Sequence, residues 1–262
     1  MAVLALRGTG GGVSGLLRNL FAPTCSVMGG RRVQRVGAPQ DNLRAIWIKG
    51  LDRPLFLPEE FSLHCIHQVL GEETYAWNWH YYCIPETRVE KDDVVFDCGA
   101  AEGLFTLFAR QRGAKAAVFE PHPLYFKALQ KTFADDPGAV LINSGVGDVE
   151  AKAYLSNADI ASMVTHDGGH PIQIETIDSA CDRLKMVPTY LKADIEGFEA
   201  KMLMGAAETI SRHHPKIAIT TYHAANDPQE LAALLRKFWP GYRIKTKGIS
   251  DRHGKPVMLH AW

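Results

Sequence analysis

From residue 94 onward, short hydrophobic runs alternate with amphipathic stretches. The runs predict core strands at 94–97, 116–120, 139–142, 190–194 and 216–222. Between them, apolar residues at helical spacing predict helices near 103–112, 123–133, 198–212 and 227–238. Residues 242–245 and 256–262 are typical of a closing antiparallel strand pair. Strands that alternate with helices indicate a doubly wound α/β fold, with a parallel sheet covered on both faces.

The chain before this alternation has a different pattern. Residues 41–92 contain a strand-like run at 45–48 and a helical stretch at 59–70, followed by a cluster of tyrosines and tryptophans. We interpret 41–92 as an N-terminal appendage of helices and loops, and 93–262 as the main domain. Packing is the simplest role for the aromatic cluster (Tyr75, Trp77, Trp79, Tyr81 and Tyr82). The alternative is a lid or wall over a ligand pocket.

Residues 1–40 form a third segment, rich in glycine and arginine and free of acidic residues. The simplest interpretation is a flexible terminus without a specific role, dispensable for catalysis. Apolar residues recur at helical spacing over 13–21, so a helix lying on a membrane surface is one alternative. A transit peptide is the other, because such peptides are rich in arginine and poor in acids. The expected location is therefore cytoplasmic, with organelle targeting or peripheral membrane contact as alternatives.

The amino-acid composition of the chain excludes several classes of protein. The 262 residues include 29 basic and 29 acidic side chains, and 46% are hydrophobic, which is ordinary globular usage. No apolar run approaches the roughly 20 residues that span a bilayer. The charge balance gives no reason to expect nucleic acid as a partner. Five cysteines without close pairs indicate a reducing compartment and no disulfide framework. No metal site is predicted, since zinc spacing is absent and no histidine pair has a third ligand nearby.

The strongest motif follows the first strand of the main domain. Asp97 ends that strand, Gly99 follows it, and Gly103 opens the next helix. This suits a nucleotide-like ligand at the carboxyl end of the strand. Ala101 stands where the dinucleotide fingerprint needs its middle glycine. A carboxylate at Asp97 would repel a pyrophosphate and favour an ammonium group, which points to S-adenosylmethionine.

A second acid extends this motif. Glu120 ends the next strand, 21 residues after Gly99. A doubly wound fold places a carboxylate at this position against ribose hydroxyls. The alternative interpretation is an exposed glutamate at a strand end.

Three polar residues follow later strands and are the candidate catalytic groups. Asp194 ends one core strand, and Glu196 shares its face in extended backbone. These two carboxylates are placed to position a substrate hydroxyl, accept its proton or hold a cation. His223 closes the next strand, and a neutral imidazole is a good base near pH 7. Its alternative is a capping or surface histidine. For Glu199, the simplest role is stabilisation of a helix dipole.

Together these stretches resemble the FkbM family of methyltransferases. The resemblance rests on "VVFDCGAAEGLFTLFA", "AVFEPHPLYFKALQK", "INSGVGD", "IETIDSACDRL", "YLKADIEGFEAKMLMGAAETI" and "ITTYHAANDPQELAALL". It implies a class I methyltransferase fold, Rossmann-like, with a mostly parallel seven-stranded sheet. It also implies S-adenosyl-L-methionine as cofactor. The implied reaction is O-methylation of a hydroxyl on a sugar or small natural product, so the expected partner is a small-molecule or glycan acceptor.

The resemblance also implies residue roles. Asp97, Gly99 and Gly103 would line the methionine part of the cofactor, with Ala100 beside them. Glu120 would hold the ribose, followed by Pro121. Ser144 and Asp148 belong to a segment expected near the adenine. His223, Asp194 and Glu196 would face the transferred methyl group, His223 as the base and Asp194 as the positioner. Ala101 departs from the family, which often has a polar residue there.

Two other functions stay open on the sequence alone. A nucleotide-dependent oxidoreductase of the NAD type would use the same sheet topology, but the missing middle glycine and Asp97 count against it. A non-catalytic binding protein would retain the cofactor fold without the chemistry. The acids and the histidine at the strand ends count against that alternative. The acceptor and the oligomeric state are not encoded in any readable motif.

Overall fold

The computed structural model describes residues 23–155, 164–165, 169–223, 226–250 and 254–262. An N-terminal layer comes first. It contains an antiparallel sheet in the order β1-β2-β3 and two helices that pack on each other. Its elements are α1 (Cys25–Gly30), β1 (Val33–Val36), β2 (Leu43–Ile48), β3 (Leu55–Pro58) and α2 (Leu63–Thr74). The predicted amphipathic stretch at 13–21 lies outside the described residues.

This layer differs from the predicted appendage of helices and loops. β1 pairs with β2, with Val33 opposite Ile48, so the predicted boundary at residue 40 cuts through a sheet. The sequence missed β1 because the strand is short and only its first residue is partly buried. The helix predicted at 59–70 begins at Leu63, where the Ser62 hydroxyl caps it by accepting the N–H of His64. Residues 59–62 form the turn before it.

The main domain is built on a seven-stranded sheet, which confirms the predicted fold class. Its strands are β4 (Val94–Cys98), β5 (Lys115–Phe119), β6 (Ala139–Ile142), β11 (Tyr190–Ala193), β12 (Lys216–Thr220), β13 (Ile244–Lys247) and β14 (Met258–Ala261). Their order is β13-β14-β12-β11-β4-β5-β6. Only β14 runs against its neighbours, as the predicted closing pair requires.

The strand order places the carboxyl ends of β4 and β11 side by side. From β4 the chain proceeds outward through β5 to β6, and later returns to β11 on the other side of β4. The reversal creates the crevice in which doubly wound sheets bind ligands. β11 pairs with β4 in parallel, with Lys192 opposite Asp97 and Ala193 opposite Cys98. Residues that follow these two strands therefore meet at one rim.

Helices cover both faces of this sheet. They are α3 (Leu104–Gln111), α4 (Pro123–Thr132), α5 (Ile177–Leu184), α6 (Glu199–Met204), α7 (Ala207–His213) and α8 (Pro228–Phe238). The single helix predicted at 198–212 is two helices, α6 and α7. The chain turns between them at Gly205, which packs against the backbone of Gly147. Within the described residues, no helix is both long enough and apolar enough to cross a membrane.

A small four-stranded sheet follows β6 in the chain. Its strands are β7 (Gly145–Val146), β8 (Ala151–Leu155), β9 (Val164–Thr165) and β10 (His170–Glu175), in the order β7-β10-β8-β9. β7 and β8 contribute residues to the main cavity. This sheet and the N-terminal layer thus supply walls around the rim of the central sheet.

The close packing of α1 on α2 gives a test of whether the N-terminal layer is part of the stable fold. A side chain at Gly29 would overlap the carbonyl oxygen of His67 in α2, whereas one at Gly30 would meet only the flexible His67 ring. We expect Gly29→Ala to lower the free energy of unfolding by about 1–3 kcal/mol, the usual cost of overpacking. Gly30→Ala, one position along, should change it far less. Chemical denaturation of both variants measures the difference, and equal effects would contradict this packing.

Candidate active site

A cavity of about 370 Å³ opens at the rim where β4 and β11 end. This volume is within the range of about 300–1,000 Å³ that is usual for small-molecule sites. Six of the sequence-predicted residues line it: Gly99, Ala100, Glu120, Pro121, Asp194 and Glu196. The structure therefore brings together the predicted ends of β4, β5 and β11 around one space.

Asp97 and Lys192 form a buried ion pair beneath this space. The two residues are opposite each other on β4 and β11, and Lys192 Nζ lies 3.0 Å from Asp97 Oδ1. The Thr106 hydroxyl donates to Asp97 Oδ2 at 2.6 Å. Asp97 is fully buried and is not among the cavity-lining residues. Its partners occupy the carboxylate that the sequence analysis assigned to a cofactor ammonium group.

Lys192 also holds the turn after β4. Its Nζ donates to the carbonyl oxygen of Gly99 at 2.7 Å, and the same amine lies 5.4 Å from the centre of the Tyr82 ring. Burial alone would lower the pKa of Lys192, but the charges of Asp97 and Asp194 raise it above its usual value. Sequence analysis missed this residue, although a lysine inside an apolar strand is itself a signal of a buried partner.

Gly99 is required by the backbone packing at this rim. It has a φ of +73°, and a Cβ there would overlap the carbonyl oxygen of Asp194. The sequence analysis placed Gly99 in the lining of the cofactor site; it does line the cavity, and its backbone also lies close to the end of β11. Gly103 stands behind the cavity at the start of α3, in contact with α4.

Glu120 projects into the cavity from the end of β5. Its Oε2 accepts the N–H of Ala101, and its Oε1 accepts the N–H of His122, both at 2.8 Å. Burial raises the pKa of Glu120 to about 7, although these two hydrogen bonds oppose the rise. The side chain is thus fixed, and each oxygen keeps a lone pair for a further donor.

The polar side chains predicted near the adenine, Ser144 and Asp148, do not line the cavity. The Ser144 hydroxyl donates to Glu175 Oε1 at 2.5 Å, away from the cavity lining, and Asp148 is also absent from that lining. Gly145 and Val146, from the same segment, do line the cavity. The segment is therefore close to the site through its backbone and apolar atoms.

Asp194 is at the centre of the candidate catalytic cluster. Tyr82 donates to its Oδ2 at 2.8 Å, and the Thr220 hydroxyl, whose single proton is shared with Glu199 Oε1, lies 3.2 Å from its Oδ1. Burial would raise the pKa of Asp194, but the nearby His80, His223 and Lys192 lower it overall. Asp194 is therefore ionised at neutral pH.

His223 lies between carboxylates beside Asp194. Its Nδ1 is 3.1 Å from Glu199 Oε1, and its Nε2 is 3.3 Å from Glu196 Oε2 and 3.7 Å from Asp194 Oδ1. Burial would lower the pKa of His223, but the Glu199 hydrogen bond and the surrounding charges raise it to about 9. With these neighbours the imidazole holds a proton at neutral pH, in contrast to the neutral base expected from the sequence.

Glu199 fixes the orientation of this histidine. It is fully buried, and it accepts hydrogen bonds from Ile195 N at 3.1 Å, Thr220 Oγ1 at 2.9 Å and Asn226 Nδ2 at 2.6 Å. The sequence analysis interpreted Glu199 only as stabilising a helix dipole. Glu199 is the first residue of α6, and the short turn between it and Asp194 brings both to the same cluster.

The wall opposite this rim comes from the N-terminal layer. α2 contributes Glu72 and Glu73, and the following loop contributes His80 and Tyr82. Of the aromatic cluster, only Tyr82 is among the cavity-lining residues, so the structure supports the pocket-wall interpretation for that residue alone. Burial raises the pKa of Glu73 well above its usual value, and the charge of Glu102 raises it further. Burial also raises the pKa of Glu102, to about 7.

Comparison with known proteins identifies the family of this chain. Residues 97–244, more than half of the chain, match the family model of the methyltransferase FkbM domain. The chain belongs to the FkbM methyltransferase family. The matched region begins at Asp97 and includes every candidate catalytic residue. No curated protein matches the chain in sequence.

The chain is also similar to proteins of solved structure. The FkbM methyltransferase from Methylobacillus flagellatus KT has 23% identity and a TM-score of 0.52, and the match covers 79% of this chain. It covers 56% of that protein, so this chain spans little more than half of its length. Fibrillarin from Aeropyrum pernix, solved with natively bound S-adenosyl-L-methionine, has 12% identity and a TM-score of 0.46, covering 88% of this chain and 99% of its own.

The buried Lys192–Asp97 pair gives a test of the architecture of this rim. Lys192→Met should lower the free energy of unfolding by about 3–5 kcal/mol, because it leaves a buried carboxylate without its partner. The double variant Lys192→Met, Asp97→Asn should lose less than the sum of the two single variants, since it removes both charges. Denaturant unfolding of all three variants measures this coupling, and strictly additive losses would show that the two charges do not interact.

Proposed function

We propose that this FkbM-family protein transfers the methyl group of S-adenosylmethionine to a hydroxyl oxygen of a sugar or a small natural product. The observation that carries the proposal is the ionised Asp194, held by Tyr82 and Thr220 at the edge of the cavity. A fixed carboxylate at this place is suited to accept a hydrogen bond from a neutral hydroxyl. Family membership supports methyl transfer itself.

The charge of the cavity lining is complementary to that of the cationic methyl donor. Glu72, Glu73, Glu102, Glu120, Asp194 and Glu196 line it. Among the described lining residues, Lys192 alone is a lysine or arginine, and its amine is occupied by Asp97 and Gly99. An acidic space of this kind favours a ligand with ammonium and sulfonium groups. Glu73 Oε2 is buried without a hydrogen-bond partner, so the wall has an acceptor to offer.

Glu120 would hold the ribose of the cofactor. Each of its oxygens accepts one backbone N–H, so a lone pair on each remains for the two ribose hydroxyls. Glu102 and Glu73 are the carboxyl groups in the cavity that would meet the cofactor's ammonium group, because Asp97 is occupied by Lys192 and Thr106. When bound, S-adenosylmethionine supplies an electrophilic methyl group on a sulfonium centre.

The chain's own contribution is mainly positioning. Asp194 would accept the hydroxyl hydrogen bond and direct the oxygen lone pair toward the cofactor side of the cavity. Alignment of two bound reactants supplies a large part of the acceleration in such a displacement. The acidic lining would disfavour phosphorylated or carboxylated acceptors, because no free cation of the described lining would compensate their charge. A neutral polyol is the acceptor that this charge pattern supports.

Glu120→Ala tests the ribose contact. We expect weaker binding of S-adenosylhomocysteine by about 1–3 kcal/mol, the usual value for hydrogen bonds to a charged acceptor. Isothermal titration calorimetry measures the affinity, and circular dichroism checks the fold. Glu59→Ala removes an exposed carboxylate outside the cavity and is the matched control. Unchanged affinity in a folded Glu120→Ala variant would refute the assignment.

Methyl transfer to oxygen can be tested with labelled S-adenosylmethionine and a panel of glycans and hydroxylated natural products. Mass spectrometry should find a methyl ether in the product. Asp194→Asn should lower turnover by roughly 10–200-fold, because a hydrogen bond from the acceptor hydroxyl to a charged group is worth about 1.5–3 kcal/mol. Its affinity for S-adenosylhomocysteine should stay close to that of the wild type. Asp52→Asn, an exposed control, should behave as the wild type does. A methylated nitrogen or carbon in the product would overturn the assignment to hydroxyl acceptors.

A further inference from the structure

One buried nitrogen in the catalytic cluster has no hydrogen-bond partner. The His223 side chain is 9% exposed, and its Nε2 forms no hydrogen bond within the part of the chain that the structure describes. Glu196 and Asp194 face this atom at ion-pair distance without hydrogen-bond geometry. A buried polar atom of this kind in a native fold is rare and usually marks a missing ligand, water or ion.

The distances around this nitrogen fit a metal ion. His223 Nε2 is 3.3 Å from Glu196 Oε2 and 3.7 Å from Asp194 Oδ1. Ligand atoms bonded to one divalent cation at about 2.1 Å are about 3.0–3.5 Å apart for octahedral to tetrahedral angles. The two distances from this nitrogen are thus close to the spacing of ligand atoms that share a cation. The two carboxylates would have to move toward each other to complete the site.

Glu199 has the role of an orienting neighbour. One set of ligand atoms within 4.8 Å of one another comes from Asp194, Glu199 and His223. However, Glu199 already accepts hydrogen bonds from a backbone amide, a threonine, an asparagine and the His223 ring. Histidines that bind metals commonly donate their other ring nitrogen to a carboxylate in this way. Glu199 therefore directs Nε2 toward the two remaining carboxylates.

We propose that Asp194, Glu196 and His223 bind one divalent cation at the edge of the cavity, that this cation replaces the proton on His223 Nε2, and that it binds the acceptor's hydroxyl oxygen. The inference rests on the proposed methyl transfer to oxygen. Two carboxylates with one imidazole favour Mn²⁺ or Mg²⁺ over the thiolate-seeking metals. The sequence predicted no metal site, because its three ligands come from two separate strand ends.

The cation would make the bound hydroxyl easier to deprotonate, which the carboxylates alone would not do. A metal-bound hydroxyl loses its proton more readily, as metal-bound water does. The proton passes to water, and the oxygen's electron pair forms the new C–O bond. The C–S bond of the donor breaks, its electron pair goes to sulfur, and the sulfonium becomes a neutral thioether. Asp194 and Glu196 line the cavity, so a cation between them would be reachable by an acceptor.

The test is Mn²⁺ binding by the full chain after treatment with a chelator. Electron paramagnetic resonance and calorimetry should detect one Mn²⁺ per chain, and Mg²⁺ should compete for it. Glu196→Gln and His223→Ala should each weaken Mn²⁺ binding by at least tenfold. Glu199→Gln should weaken it by roughly 10–100-fold, as usual for a residue that orients a ligand. Glu59→Gln, which removes an exposed carboxylate outside the cavity, should bind Mn²⁺ as the wild type does.

S-adenosylhomocysteine binding, measured on the same samples, reports separately on the fold and on the proposed function. A chain that binds S-adenosylhomocysteine but no Mn²⁺ at millimolar concentration overturns the cation site and leaves methyl transfer intact. Mn²⁺ binding that survives both Glu196→Gln and His223→Ala also overturns it. Failure of the wild type to bind S-adenosylhomocysteine would count against the proposed function instead. Glu196 is partly exposed, so its variant keeps the test informative if His223→Ala does not fold.

Discussion

The buried pair of Lys192 and Asp97 is the interaction on which the site depends. It joins β11 to β4 at the reversal of strand order, with the two residues in register opposite each other. The same lysine amine holds the carbonyl of Gly99 and so fixes the turn that borders the cavity. Because a buried ion pair costs desolvation energy, its benefit is best understood as geometric precision at this rim rather than as stability. Asp97 is thus a support for the site.

The fold was predictable from the sequence because its determinants are local and repeated. Buried, mostly apolar strands of four or five residues alternate with amphipathic helices, and acids mark the strand ends at Glu120 and Asp194. The N-terminal sheet was not predictable in this way. Its first strand is short and mostly exposed. The alternation of apolar and polar residues that predicts a strand does not reveal its pairing with β2, which depends on tertiary packing.

The candidate site was predictable in position but only partly in chemistry. Strand ends placed Glu120, Asp194 and Glu196 correctly at the cavity, since parallel strands deliver their carboxyl ends to one edge. The partners of Asp97, Asp194 and His223 could not be predicted. They are Lys192, Tyr82 and Glu199, which belong to other elements of the fold. The charge state of His223 depends on those partners. They raise its pKa, so the imidazole is protonated and not neutral as expected from the sequence.

The cavity is shared between the region that the family model matches and the layer that precedes it. The region matched by the family model begins at Asp97, whereas Glu72, Glu73, His80 and Tyr82 come from the layer before it. The strand ends and the wall that faces them therefore come from separate parts of the chain. Under the proposed function, substitutions in α2 and the loop after it would change which molecule enters the cavity without altering Asp194, Glu196 or the turn after β4.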